Sequence, residues 1–444
     1  MDYEALVKDT LRKFKQAGAD AEIFLQTGDS LEISVRDGNL ENLKQSGSKG
    51  MGVRVFYKKK MSFVDSTDFS KGAVDSLVEK GLSLAKMAGK DEYNVLPEPR
   101  EVTHRPEIYD PEIKRIPLDK KIELAKEVER RALSYHPLIT KPEGCSYSDN
   151  SGKVIVANTL GISESYKATY FHVEIGVIAE KGESQQPGEY ETGSRFFSDL
   201  MDIQTIAENA GRRAVAMVGG EPVKSQKAAV VFDRLTGERL LDGVSRALNG
   251  EQVALERSFL RGKIGEKIGS DLVTIVDDGI MNRGNASRPV DGEGVPTQRR
   301  VIIERGVLKG YFYNARGAAR AKGKSTGSAA RWGYGQPPGI GHHNFYLVPG
   351  ELSSDEIITG TKKGLYVFQT IGFGVDAESG GFSVGASGVW IVDGKVVGPV
   401  ARVAIASHML EMLKGIDAVA NDLIMDRSAA CPTFRIKEMT IGGI

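Results

Sequence analysis

Six histidines, at 104, 136, 172, 342, 343 and 408, carry all the imidazoles of this 444-residue chain. A catalytic zinc takes three ligands of the His, Cys, Asp or Glu type and leaves a position open for water. No histidine pair has the helical spacing of a zincin, and no glutamate stands beside a histidine to serve as base. His342 and His343 are adjacent in GIGHHNFYLV, where a strand sends neighbouring rings to opposite faces, so at most one can share a centre with Cys431. Cys431 and Cys145 are far apart, with no C-x-x-C spacing. Lacking histidine partners to lower its pKa, Cys431 reads as a buried inert thiol, with a nucleophile as the alternative.

Carboxylates offer a second chemistry. Asp277, Asp278, Asp291 and Glu293 cluster in VDDG and VDGEG, where paired acids could hold a cation or move protons. Each also stands at or next to a glycine, where acids fix turns. Asp291, Glu293, His342, His343 and Cys431 are therefore the candidates for lining a cleft. The run Arg316 to Arg331, RGAARAKGKSTGSAAR, has five basic residues, no acid and no aromatic. That composition predicts a mobile flap over a groove and gives little support to nucleic-acid binding. GFGVDAESGG and GGFSVGASG lack the strand, turn and helix context of a dinucleotide or phosphate loop.

The elements that must position these groups follow from periodicity. Residues 3–16 form an amphipathic helix, followed by about four alternating strands to residue 67, with a strong turn at Asp37-Gly38 and a looser one over Ser46–Gly50. A helix over 70–87 precedes a connector with prolines at 97, 99, 106, 111 and 117. The plan then repeats: helix 118–134, strands with turns at Asn150-Ser-Gly152 and Thr159-Leu-Gly161, and a helix over 202–217. Ala228–Phe232 is a short buried strand, and Leu240, Leu241, Val244, Ala247 and Leu248 continue it as a helix. Thr236 is the expected cap of that helix and Asn249-Gly250 its left-handed stop. Beyond it most segments read as strands, with hairpins at Glu304-Arg-Gly306 and Asp393-Gly394 and helices over 353–363 and 408–420.

The fold class is α+β: antiparallel strands flanked by helices in an N-terminal part that suggests an internal duplication, then a strand-rich C-terminal domain. The expected units are 1–96, a proline-rich connector 97–117, a central segment 118–221 packed with the first, and 222–444. Lysine plus arginine equals aspartate plus glutamate at 59 each, so no net field draws nucleic acid or an anionic membrane. The charged start MDYEALVKDTLRKFKQ is unlike a secretory signal, and no apolar run reaches the roughly 18 to 20 residues a bilayer span needs. A reducing, cytoplasmic location is expected from the cysteine usage.

AAVVFDRLTGERLLDGVSRALNGEQV (228–253), DLVTIVDDG (271–279), DGEGVPTQ (291–298), IIERGVLKGY (302–311), NDLIMD (421–426) and PTFRIKEMTIGG (432–443), in this order, resemble the TldD/PmbA family, once called modulators of DNA gyrase. The resemblance implies a two-subunit metallopeptidase whose TldD-type subunit holds a metal on a His-Glu-x-x-x-His helix. Its histidines would fall on Leu241 and Arg246, within about one residue, with Asp242 at the glutamate, and neither a leucine nor a guanidinium ligates zinc. This points to the PmbA, or TldE, type: no metal of its own, a TldD-type partner that supplies one, and unfolded peptides as substrates. The alternative is a homodimeric peptide- or protein-binding modulator without peptidase activity.

Overall fold

The structure, a computed structural model, describes residues 1–443. Helix α1 (Tyr3–Gln16) is capped by Asp2, whose carboxylate accepts the Ala5 N–H at 3.0 Å, and buries Val7, Thr10 and Phe14. Strands β1 (Asp20–Arg36), β2 (Asn39–Tyr57) and β3 (Lys60–Ser66) follow, then helix α2 (Lys71–Met87) with Ser70 as its cap. The β1–β2 hairpin turns at Asp37 and Gly38, both left-handed at φ 51° and 70°, as an Asp-Gly turn of this kind requires. Helix α3 (Leu118–Ser134), strands β4 (Ile139–Asn158), β5 (Ser163–Lys181) and β6 (Ser184–Ser194), and helix α4 (Ile203–Met217) repeat the plan.

All six strands form one antiparallel sheet in the order β3-β2-β1-β4-β5-β6, so the first strands of the two halves meet at its centre. Two expected turns are absent. Ser46–Gly50 lies inside β2 and Asn150–Gly152 inside β4, because both stretches pair with β1; at Gly28 and Gly152 the paired backbones approach closely, a Cβ on Gly28 lying 3.1 Å from the Ser151 carbonyl oxygen and one on Gly152 3.0 Å from that of Thr27. Such glycines mark close backbone approach within a strand. The helices cover two adjoining cores, one around Phe14, Val53 and Leu77 and one around Tyr147, Phe171 and Ala210.

The C-terminal part begins with strand β7 (Gln226–Phe232) and helix α5 (Arg234–Ala247), then α6 (Gly250–Ala254), β8 (Ile275–Asp278), β9 (Arg299–Glu304), β10 (Val307–Leu308), α7 (Ala315–Arg320), β11 (Ala329–Ala330), β12 (Gly339–Ile340) and β13 (Asn344–Leu347). Helix α8 (Ser354–Thr359) and strands β14 (Lys363–Val375), β15 (Gly381–Val392) and β16 (Lys395–His408) follow, with α9 (Met409–Gly415), β17 (Ile416–Val419), β18 (Ala429–Ala430) and β19 (Phe434–Gly442) closing the chain. Strands run β16-β15-β14-β7-β19-β17, and a further β16–β19 pairing curls the sheet into a barrel. A smaller sheet, β10-β9-β8-β13-β18, lies beside it. The α+β class with a strand-rich C-terminal domain is thus the observed one. Helices α8 and α9 are shorter than periodicity suggests, since residues 416–419 join the barrel as β17.

Candidate functional site

Helix α5 is capped three residues earlier than expected. Asp233 is the cap: its Oδ1 accepts the Thr236 N–H at 2.9 Å and the Thr236 hydroxyl at 2.7 Å. A carboxylate serves this position as well as a hydroxyl and suits the positive end of the helix. At the other end Asn249-Gly250 is no left-handed stop. Asn249 has φ −65° and caps α6, and Gly250 is required because a Cβ there would lie 2.0 Å from the Tyr313 ring.

Leu241 points into the barrel core with Leu240 and Val244 and is 4% exposed. Gly243 lets α5 lie directly on β14, since a Cβ there would come within 2.6 Å of Val375. Asp242 and Arg246 face outward, one turn apart, and pair at 2.5 Å. The His342 Nε2 stands 4.0 Å from Asp242 Oδ1, a Coulombic contact beyond hydrogen-bond reach, while its Nδ1–H donates to the His343 carbonyl at 2.8 Å. Burial works most strongly against the His342 cation, but Asp242, the His343 carbonyl and Asp277 together outweigh it and move its pKa upward.

The neighbouring ring goes elsewhere. Asp277 on β8 accepts the His343 backbone N–H at 2.6 Å and its Nδ1–H at 3.2 Å, all inside the protein. Burial would raise the Asp277 pKa, yet His343 and Arg300 hold it low. Cys431 is buried against α5, where a Cβ on Gly237 would lie 3.2 Å from its Sγ; burial, then Asp422 and Glu238, push the thiol well above its ordinary value. Gly237 is one turn before Leu241 on the same helix face. The thiol therefore packs against Gly237 in the core cluster that also holds Leu241, and the residues at this helix do not fit a catalytic metal: an aliphatic side chain, a guanidinium and a protonated buried thiol supply no ligand set.

Asp291 and Glu293 lie away from α5, fully enclosed between the N-terminal sheet and the C-terminal part. Asp291 accepts the backbone N–H groups of Glu293 (2.9 Å), Val295 (3.0 Å) and Ala329 (2.9 Å). Glu293 accepts from Arg54 at 2.7 Å and from the Ala315 N–H at 2.7 Å, and Arg54 also holds Glu22 at 3.0 and 2.5 Å. Arg331 reaches the same Glu22 and the Gly292 carbonyl. Every oxygen of both candidate acids is spent inside the protein, which is a junction and no cleft lining. The stretch 316–331, expected as a mobile flap, is held at both ends while residues 321–324 are exposed: Arg316 pairs with Asp91 at 3.0 Å, Arg320 covers the Tyr93 ring at 4.6 Å, and the Arg331 side chain is buried in the junction.

A groove does run along α5. A cavity of about 340 Å³ is lined by Glu238, Arg239, Asp242 and Arg246 of α5 and by Thr370, Gly372, Phe373 and Gly374 of β14. A second cavity of about 140 Å³ shares Thr236, Arg239 and Thr370 with it and continues to Glu174, Glu189 and Glu191 on the central sheet. Past Val367, β14 no longer pairs with β7, but Arg213 and Arg239 take the Phe368 and Thr370 carbonyls. What stays open is the tip, where Gly372 and Gly374 have positive φ and Ile371 and Phe373 stand in solvent.

Sequence reasoning missed one group. On β5, His172 and Glu174 share a face, and Glu174 stands directly opposite Glu191 of β6. The His172 Nε2–H donates to Glu191 Oε2 at 2.9 Å, and one potential ligand atom from each of the three residues lies within 4.8 Å of the others. The His172 hydrogen bond, and then Arg427 at 2.7 Å, hold the Glu191 pKa low. The available signal was His-x-Glu within a strand; the third residue required the strand register.

Three descriptions of PmbA/TldA metallopeptidase domains match the chain: domain 1 over residues 21–85, the central domain over 111–218 and the C-terminal domain over 225–443. The chain is 28% identical to the metalloprotease PmbA of Escherichia coli O157:H7 over 431 residues, covering 97% of this chain and 93% of that protein. The crystal structure of TldE from Thermococcus kodakarensis superposes with a TM-score of 0.89 at 22% identity, covering 99% of this chain and 100% of that one. A Thermotoga maritima protein, solved under a title naming it a modulator of a DNA gyrase, superposes with a TM-score of 0.90 at 22% identity, with the same coverage.

Proposed function

Because the chain belongs to the PmbA/TldD metallopeptidase family, we propose that it is the PmbA/TldE-type subunit, without a catalytic metal on α5, of a cytoplasmic two-subunit peptidase that cleaves unfolded peptides and small proteins. The observation that carries this proposal is on α5, where Leu241 is part of the core and Arg246 answers Asp242. A TldD-type partner would supply the metal and the base. This chain would form one wall of the chamber, offering the α5 groove and the bare Ile371–Phe373 tip to an extended peptide. Among the described residues no helix is long and apolar enough to cross a membrane, in keeping with a partner met in solution.

The test is a three-way assay of peptide cleavage: this chain alone, a TldD-type chain alone, and the two mixed. Turnover is expected in the mixture and absent from this chain alone. Turnover by the lone chain that a chelator abolishes would overturn the proposal. A mixture no more active than the TldD-type chain by itself would favour a homodimeric binding protein instead.

A further inference from the structure

We propose that this chain binds one divalent transition ion of the zinc class between His172, Glu174 and Glu191, on the wall of the groove and away from the helix that carries the metal in TldD-type chains. The proposal does not depend on the partner reading above. The three residues come from adjacent strands in fixed register, so the backbone already sets their spacing. With bonds of 2.0 to 2.2 Å, ligand atoms around a tetrahedral ion are about 3.3 Å apart. Here the His172 Nε2 and Glu191 Oε2 are 2.9 Å apart and all three ligand atoms fit within 4.8 Å, so side-chain rotation alone can gather them. One imidazole and two carboxylates suit zinc or manganese better than magnesium, which keeps its water.

Independent features of the same wall favour a cation. Glu174 and Glu191 face each other directly across the strands, an arrangement that like charge destabilises unless something positive lies between them. Arg427 neutralises only part of this, because it holds Glu191 Oε1 and leaves Oε2 turned toward His172. In that position the guanidinium orients the carboxylate, as an outer partner does around a bound ion. Asp426 is buried close by, where burial first and Glu191 among the lesser causes push its pKa upward, and its Oδ2 has no hydrogen-bond partner among the described residues. On binding, the ion takes the place of the proton on His172 Nε2 that now faces Glu191, and the neutral ring ligates with its single proton on Nδ1. With three protein ligands, the fourth position is left for water or for a carbonyl or carboxylate of a peptide, beside the cavity that Glu174 and Glu191 line.

The experiment is calorimetric titration of the full chain, stripped with a chelator, using zinc chloride, with manganese and magnesium chlorides in parallel. One equivalent of zinc should bind, manganese more weakly, and magnesium without saturation. His172→Ala and Glu174→Gln should each weaken zinc at least tenfold, while His104→Ala, in the exposed connector, should not. Glu174 is exposed, so Glu174→Gln tests the site in a folded chain, with an unchanged thermal melt as the check. Absence of saturable zinc binding, or zinc binding that survives intact in both His172→Ala and Glu174→Gln, overturns the proposal. Zinc bound here without peptide cleavage satisfies both proposals, and cleavage by the lone chain defeats only the first.

Discussion

Arg54 and Arg246 each face a carboxylate, one in the junction between the N-terminal sheet and the C-terminal part, the other on the outer side of α5. The Arg54 side chain is 6% exposed between Glu22 and Glu293, both at 0%. Arg246 and Asp242 are 50% and 43% exposed. In the junction, desolvation makes each charge depend on the others, whereas beside the groove water already solvates them. The same residue types thus act as scaffold in one place and as a tolerant surface in the other, and burial with partner count decides which. At the junction a glycine seals the contact: a Cβ on Gly52 would lie 2.0 Å from the Tyr334 carbonyl oxygen.

The comparison is broken most directly at the junction. Arg54→Met leaves Glu22 and Glu293 charged, buried and facing each other, and should cost about 3 to 5 kcal/mol in urea unfolding. A loss below about 1 kcal/mol would mean that water reaches these acids and that the junction resembles the groove. Next in size is the triple variant Leu241→His, Asp242→Glu and Arg246→His. Most of its cost comes from position 241, where lost packing and an unsatisfied buried imidazole should remove about 2 to 5 kcal/mol. It should not cleave peptide alone, because Cys431 is buried with its pKa raised and no outer partner orients the new rings. Hydrolysis by the triple variant would show that α5 needs only its ligands restored.

Much of this contrast lies beyond the reach of a sequence. Asp37-Gly38 and Asp393-Gly394 turn as read, because a turn is decided by a few neighbouring residues. Gly47, Gly50 and Gly152 look equally like turn residues, yet they lie within long strands, and which stretches continue as strand is decided by pairing across the sheet. Asp291 and Glu293 read as turn acids or cleft acids; Arg54, 239 residues away from Glu293, makes them a buried junction. His172 and Glu174 were visible as a pair on one strand face, whereas Glu191 joins them only through register. The absence of a metal motif on α5, by contrast, was legible because a helix fixes which positions could share a metal.

The smallest expected effect refines the groove side of the comparison. Asp242 sits between Arg246 and His342, which hold its pKa low, while it moves the His342 pKa upward. The raised histidine contributes stability that is fully present below its unfolded value near 6.5 and fades as pH rises through the higher folded value. The lowered aspartate contributes stability present above its unfolded value near 3.8 and lost as pH falls through the lower folded one. The pair therefore favours the folded state most between those two limits. Asp242→Asn should lower Tm most within that window and by a smaller, Arg246-dependent amount above it, by no more than about 1 kcal/mol because the carboxylate is partly solvated. A pH-independent difference would assign the effect to packing of the side chain. A difference several times larger would place Asp242 and His342 with Arg54 among the buried, interdependent charges.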